Sequence, residues 1–274
     1  MLEQLAVTIL AENTTRKRGL LGEHGLSVLI EADSYKILFD TGQGLTLEHN
    51  AQQLGISLNN LEAIALSHGH YDHTGGLLSL LEQATETDLF LHPAALQTKY
   101  SPSGNIGSPI CDEQLLKAKV RRLIWTENPT EIRPGVYLSG TIPRRHPLED
   151  TGGLFWCDSE HKSLDHLRDD QAMFLESPLG WVVLLGCAHS GVINTLDYIA
   201  QITGTSEFYA VLGGMHLLRA SNQRLESTLE ALEKYKVQKL GPNHCTGVKA
   251  IAALGNKFGD RCIDCTVGTR WQFD

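Results

Sequence analysis

The chain has 274 residues, the length of one large domain or two small ones. Apolar residues make up 42% and charged residues 20%, so the chain can bury a large core and intrinsic disorder is excluded. The formal net charge of −9 argues against general binding to nucleic acids or anionic membranes, which need a positive field.

The hydrophobic runs and the cysteines indicate in which compartment the protein is expected. No apolar run exceeds five residues, the length of Trp181–Leu185, which is far shorter than the roughly 20 residues of a membrane-spanning helix. The run Leu5–Leu10 lacks a basic flank and is interpreted as a first strand, not a signal peptide. Six cysteines are too sparse for a disulfide scaffold, so we expect a cytoplasmic protein. The unusual feature is the 12 histidines, a reason to look for metal ligands.

Short apolar runs predict strands at 5–10, 27–30, 36–39, 63–66, 89–91, 135–138, 172–175, 181–185 and 208–212. Leucine and isoleucine spaced three or four apart predict helices at 76–83, 192–202 and 224–235. This order favours an α/β protein with helices outside its sheets, which we expect to form one domain over residues 1–274. The stretches 97–131 and 158–170 are interpreted as surface excursions and lid candidates.

A histidine-rich motif follows the strand predicted to end at Leu66 and reads Ser67-His-Gly-His-Tyr-Asp-His-Thr-Gly-Gly76. Its imidazole and carboxylate donors suit zinc, manganese or iron. Burying these donors at the end of an apolar strand would be costly without a metal ion. The motif therefore predicts a metal site.

This motif, with the preceding Phe39-Asp-Thr-Gly42, resembles the metallo-β-lactamase superfamily over essentially the whole chain. Three later phrases, at 186–191, 213–217 and 243–247, look closest to a subgroup of that superfamily. The subgroup is related to the 7,8-dihydropterin-6-yl-methyl-4-(β-D-ribofuranosyl)aminobenzene 5′-phosphate synthase of methanopterin biosynthesis. The resemblance implies a four-layer αββα sandwich of two similar halves, with the metals at one edge between the sheets.

The resemblance also implies a set of metal ligands: His68, His70, Asp72, His73, His189 and His244. The first two would bind one ion, and Asp72 and His73 the second. His189 and His244 each follow a predicted strand, where a ligand can project into the site. We expect one or two divalent metal ions, zinc before manganese or iron.

The sequence departs from the superfamily pattern at two positions. Cys187 stands where an aspartate usually bridges the metals, and it is interpreted as either a thiolate ligand or a buried apolar cysteine. A further histidine is usual before that position, and His146 lies in the interval where it would fall. The number of metal ions therefore stays open at this point.

Other residues are expected to support the site. Asp40 is placed to accept a hydrogen bond from a ligating histidine, although it could simply initiate a turn. His216 follows paired glycines and is expected to bind substrate or to assist proton transfer. Arg144 and Arg145 are expected to contact an anionic group. Histidines outside the motifs, such as His24, are interpreted as surface or packed residues.

These features favour a metal-dependent hydrolase in which Asp72 orients metal-activated water, with His216 as the second catalytic candidate. The expected substrate is a small, phosphate-bearing molecule, and neither nucleic acid nor membrane is an expected partner. The alternative is a transferase that joins a dihydropterin methyl to an aminobenzene ribosyl phosphate with loss of diphosphate.

Overall fold

The computed structural model describes residues 2–84 and 86–274. Its first half contains β1 (Leu5–Ala11), β2 (Ser27–Ala32), β3 (Tyr35–Phe39), α1 (Leu47–Gln53), β4 (Ala63–Ala65), α2 (Tyr71–Thr74), α3 (Leu77–Gln83), β5 (Asp88–Leu91), β6 (Tyr100–Ser101), β7 (Gly104–Asn105), α4 (Glu113–Lys119) and β8 (Arg122–Trp125). The second half contains β9 (Thr130–Arg133), β10 (Val136–Leu138), β11 (Met173–Ser177), β12 (Gly180–Leu185), α5 (Val192–Thr203), β13 (Ala210–Gly214), α6 (Asn222–Lys234), β14 (Lys239–Asn243), α7 (Val248–Phe258) and β15 (Arg270–Gln272).

Two sheets form the centre of the fold. The strand order is β15-β1-β2-β3-β4-β5-β8 in the first sheet and β14-β13-β12-β11-β10-β9 in the second. Along β2, Val28 and Ile30 pack between the sheets, while Leu29 packs under the helices of the first half. Because successive side chains point to opposite faces, both faces of each central strand are apolar.

The helices cover the two outer faces. Residues of α1, α3 and α4 pack on the first sheet, and residues of α5, α6 and α7 pack on the second. The layers are therefore helices, sheet, sheet and helices, which confirms the αββα prediction. In the described part of the chain no helix is long and apolar enough to cross a membrane.

The segment 97–131 differs from its interpretation as a surface excursion. Only its first part, with the β6–β7 hairpin, lies outside the sandwich. Further on, β8 pairs in parallel with β5 and extends the first sheet, and Leu116 of α4 is buried against that sheet. Burial of these apolar side chains makes the second part of the segment a structural layer.

Parallel pairing fixes where the connecting loops emerge. In the first sheet β3, β4 and β5 are parallel, and in the second β12, β13 and β14 are parallel. The carboxyl ends of parallel strands meet at one edge of a sheet, so the loops after them converge there. All predicted metal ligands lie in these loops or in the short turns that follow them.

Candidate metal centre

The histidine-rich motif leaves β4 as a loop that runs directly into α2. His70 has extended backbone and α2 begins at the next residue, so Asp72 and His73 occupy a helical turn. The motif's three histidines and its aspartate are all at most 6% exposed. Between the first two histidines, a Cβ atom on Gly69 would lie 2.2 Å from a backbone oxygen of the neighbouring turn. Glycine is therefore required for this close approach.

His68, His70 and His189 form a first group of buried imidazoles. Nε2 of His68 lies 2.9 Å from Nδ1 of His70, and the His189 ring centroid lies 4.8 and 4.9 Å from those two rings. Nε2 of His70 and Nε2 of His189 are buried and have no hydrogen-bond partner among the described residues. Burial lowers the pKa of all three histidines, to about 3 for His70. They are therefore neutral, which is the form that binds metal.

Asp72, His73 and His244 form a second group beside the first. Nε2 of His73 lies 3.2 Å from Nε2 of His244. Oδ2 of Asp72 lies 3.5 Å from Nε2 of His244 and 3.8 Å from Nε2 of His73. Two imidazole nitrogens and a carboxylate oxygen thus face one small volume, a donor set suited to a divalent ion.

Cys187 lies between the two groups. Its Sγ atom is 3.2 Å from Nε2 of His73. The sulfur also lies within 4.8 Å of potential ligand atoms of His68 and His189 on one side and of His73 and His244 on the other. The side chain is 3% exposed. Its sulfur therefore lies beside the potential ligand atoms of both groups.

Asp40 supports the second group from behind. Its Oδ2 atom lies 2.7 Å from Nδ1 of His73, and its two oxygens accept hydrogen bonds from the backbone N–H and the hydroxyl of Ser67 at 2.6 and 2.7 Å. The hydrogen bond to a ligand candidate that the sequence predicted for Asp40 is present. With Nδ1 of His73 donating to Asp40, Nε2 would bind a metal ion once it loses its own proton, and it faces His244 and Cys187.

His244 is held by two residues directly after β1. Glu12 accepts a hydrogen bond from the backbone N–H of His244 at 2.8 Å, and Oδ1 of Asn13 accepts one from Nδ1 at 2.8 Å. These contacts fix His244 in the left-handed backbone region, with φ at 49°. Neither residue is predictable from the sequence, because nothing near them in sequence indicates that they contact position 244.

His24 is a further residue that the sequence analysis missed. Its Nε2 atom lies 3.2 Å from Oδ2 of Asp72, and Asn13 donates to its Nδ1 atom at 3.3 Å. The hydrogen bond to Asp72 raises the pKa of His24 above its usual 6.5, although burial opposes the shift. His24 therefore borders the second group instead of being an unrelated surface histidine. Its one sequence signal is its position between two glycines in a loop that precedes a strand.

A buried ion-pair network ties both surface excursions to the motif. The ammonium of Lys99 lies 2.9 Å from a carboxylate oxygen of Asp165 and 2.9 Å from one of Asp169. The other oxygen of Asp169 accepts a hydrogen bond from the backbone N–H of Gly69 at 2.7 Å. Lys99 is 1% exposed, and the network connects residues of the two segments to the loop between His68 and His70.

A cavity of about 590 Å³ opens above the two groups. Its walls carry apolar side chains from both halves of the fold: Tyr71, Ile106, Phe155, Leu218, Val248 and Ile251. The Phe155 ring lies 5.3 Å from that of His70 and 5.4 Å from that of His189. No lysine or arginine is among the described residues that line this cavity. The cavity therefore has the polar side chains of the two groups at its base and apolar side chains on its walls.

His216 also lines the cavity. Its ring lies 4.3 Å from that of His189, and its Nδ1 atom has no hydrogen-bond partner in the part of the chain that the structure describes. The backbone is left-handed, with φ at 45°. Gly152 lies against this ring so closely that a Cβ atom there would be 1.8 Å from it.

Three predicted residues lie elsewhere. Arg144 donates hydrogen bonds to the carbonyl oxygens of His189, at 2.7 Å, and of the 166–167 backbone. Arg145 points towards Gln201 on α5, and neither arginine lines the cavity. His146 belongs to no cluster of potential ligands in residues 2–84 and 86–274. The expected substrate contacts of the arginines, and the expected ligand role of His146, are therefore corrected: Arg144 stabilises the loop carrying His189.

The sequence of this chain is similar to those of known proteins. A model described as the metallo-beta-lactamase superfamily matches residues 21–89. The 7,8-dihydropterin-6-methyl-4-(beta-D-ribofuranosyl)-aminobenzene-5'-phosphate synthase of Methanocaldococcus jannaschii is 31% identical over 242 residues, covering 83% of this chain and 82% of that protein. The chain belongs to the metallo-β-lactamase superfamily.

Solved structures agree with this assignment. Tm1679, described as a metal-dependent hydrolase of the beta-lactamase superfamily, superposes with a TM-score of 0.85 and 31% identity, covering 97% of this chain and 98% of that one. Zinc-bound PqqB from Methylobacterium extorquens gives a TM-score of 0.60 at 16% identity, with 97% and 99% coverage, and shows the fold alone. The predicted fold and the resemblance to the synthase subgroup are confirmed.

Proposed function

We propose that this chain is a metal-dependent hydrolase of a small, phosphate-bearing substrate. The observation that carries the metal dependence in this proposal is the pair of buried, unpartnered Nε2 atoms of His70 and His189. An unsatisfied buried polar atom costs about 1–3 kcal/mol, and a divalent ion would satisfy both. The description of Tm1679 as a metal-dependent hydrolase supports the same class of activity.

The two groups of side chains suit two divalent ions. His68, His70 and His189 would hold one ion, the second group would hold the other, and the Cys187 thiolate would lie between them. Nitrogen and sulfur donors favour zinc over magnesium or calcium. A divalent ion in such a site acts as a Lewis acid and lowers the pKa of a coordinated water to about 7.

The protein's own residues would orient the reactants. Asp72 presents a carboxylate oxygen to the second group and would align the attacking water. His216 lies on the cavity wall beside His189 and would bind the substrate or pass a proton to the leaving group. Phe155 covers the first group and would exclude bulk water from it.

The ligand assignment is tested by comparing buried histidines inside and outside the site. His70→Ala and His189→Ala are expected to lower bound zinc and to reduce hydrolysis of bis(4-nitrophenyl) phosphate far more than they lower the melting temperature. The matched control is His92→Ala. His92 is 8% exposed and is hydrogen-bonded to Thr141 and to the Ala94 backbone, outside both groups. This variant is expected to retain zinc and to lose about 1–3 kcal/mol of stability.

Two outcomes would contradict the proposal. Full zinc content in His189→Ala with lowered stability would remove His189 from the metal site. Turnover that is unchanged after complete removal of zinc would exclude the hydrolytic mechanism, because that mechanism requires water activated by a bound metal ion.

A transferase is the second candidate function. It is favoured by the 31% identical relative, which is named as a synthase, and by the apolar walls of the cavity, which suit an aromatic ring. In that reaction a dihydropterin methyl would be joined to an aminobenzene ribosyl phosphate, and the leaving diphosphate would lie at the metal positions. Product analysis separates the two functions, because hydrolysis of a pterin diphosphate forms no bond to the aminobenzene.

A further inference from the structure

A second, outer pocket of about 330 Å³ adjoins the cavity above the metal groups. The two share five lining residues: Ser101, Ser103, Phe155, His216 and Leu218. The remaining wall of the outer pocket is formed by Pro102, Gly152, Gly153, Leu154 and Arg219. A substrate at the metal groups could therefore extend past Phe155 and His216 into this pocket.

Arg219 is the charged residue of the outer pocket. Its side chain is exposed, and no carboxylate is among the described residues that line this pocket. Within residues 2–84 and 86–274 its guanidinium has neither a hydrogen bond nor an ion pair. It differs in this from Arg144, whose donors are occupied by backbone carbonyls. The guanidinium donors of Arg219 are thus available to a ligand.

A second arginine adds positive charge behind the same wall. Arg224 is 3% exposed, and its Nη1 atom donates to Asp150 at 2.6 Å. The same carboxylate oxygen accepts the backbone N–H of Gly152, a wall residue of the outer pocket, at 2.7 Å. Nε and Nη2 of Arg224 are buried without a partner in the described chain. Asp150 pairs with Arg224 and the Glu149 carboxylate also interacts with it, so the unpaired positive charge at this wall is that of Arg219.

We propose that the outer pocket binds a phosphate monoester group of the substrate, with Arg219 as the residue that recognises it. A planar guanidinium can form two parallel hydrogen bonds to a phosphate, and charge-assisted bonds of this kind are the strongest available to side chains. Ser101 and Ser103 also line this pocket, and a serine hydroxyl can donate a hydrogen bond to a phosphate. The inference rests on the proposed function, because it places the reacting bond at the metal groups.

The test uses two substrates that differ in one phosphate: thymidine 3′-(4-nitrophenyl phosphate) with and without a 5′-phosphate. The zinc-loaded wild-type protein is expected to prefer the 5′-phosphorylated substrate in kcat/KM. Arg219→Leu is expected to lose about 10- to 100-fold on that substrate and to keep its rate on the other. Arg219→Lys is expected to lose less, because it keeps the charge without the paired donors. The control is Arg18→Leu, which removes an exposed arginine that lines neither pocket.

Calorimetric titration of the same proteins with ribose 5-phosphate and with ribose separates this inference from the proposed function. Binding of ribose 5-phosphate that is weakened by Arg219→Leu and not by Arg18→Leu supports the outer pocket, even if neither nitrophenyl substrate is hydrolysed. Binding that is equal in the two variants, or absent from the wild-type protein, would overturn it. Failure of hydrolysis alone counts against the hydrolase and not against the pocket.

Discussion

Replacing Asp40 by asparagine tests how the second metal position is prepared. The variant keeps an acceptor for the backbone N–H of Ser67 but can present an amide N–H₂ to Nδ1 of His73 in place of Oδ2. In the metal-free protein His73 can adapt by placing its proton on Nε2. If a metal ion then bound Nε2, the proton of His73 would have to return to Nδ1. That N–H would face the N–H of the new amide, and neither group could accept a hydrogen bond from the other.

The expected size of the effect follows from this contact. Loss of a partner that orients a metal-ligating histidine typically costs 10- to 100-fold in metal affinity, or about 1.4–2.8 kcal/mol. We expect this loss for one of two bound zinc ions, because Asp40 contacts His73 of the second group directly and is linked to His68 of the first only through the hydroxyl of Ser67. Zinc titration against a competing chelator measures both affinities.

Asp40→Asn also has a pH-dependent effect on the metal-free protein. Burial lowers the pKa of His73, but the Asp40 and Asp72 carboxylates raise it, and the net value is about 9 against the usual 6.5. Protonated His73 therefore stabilises the fold fully below pH 6.5, and this contribution disappears as the pH rises through 9. With chelator present, the variant should lose about 2 kcal/mol at pH 6 and less at pH 9.5. Two zinc ions bound with wild-type affinity would refute the reasoning about His73.

Two further predictions concern residues outside the motif. Asn13→Leu removes the acceptor for Nδ1 of His244 and should weaken binding of one zinc ion about tenfold, whereas Asn13→Asp should retain the affinity; equal losses in the two variants would contradict this role. Burial raises the pKa of Asp88, but hydrogen bonds from Arg121 and Arg122 lower it by a larger amount. The net pKa is about 2, against the usual 3.8. The stabilisation is thus present above pH 4 and lost towards pH 2. Because the arginines are 40% and 66% exposed, Asp88→Asn should cost only about 1 kcal/mol at pH 7. Urea unfolding of metal-free protein at pH 7, 4 and 3 would show a shrinking difference, and zinc content should be unchanged.

The sequence pattern by itself indicated an α/β protein and located the histidine-rich motif, and the family resemblance of that motif implied the αββα sandwich. Continuous apolar runs, Val28–Ile30 on β2 and Trp181–Leu185 on β12, predict strands that are buried on both faces, as these strands largely are. The motif at 67–76 is readable because its donors are close in sequence, so no distant contact is needed to recognise it. Asp40 was predictable for the same reason, since it follows a strand end in a short phrase. Signals of this kind are local.

Only the tertiary structure decided which distant residues meet at the site. Glu12 and Asn13 contact His244 across more than 230 positions of sequence, and Cys187 lies between the two groups only because both sheets bring their loops to one edge. The arginines show the same dependence. Arg144 is occupied by backbone carbonyls that other loops supply, while Arg219 is left without a partner beside a pocket. Whether a charged side chain is paired or available depends on its neighbours in space, and its neighbours in sequence do not reveal them.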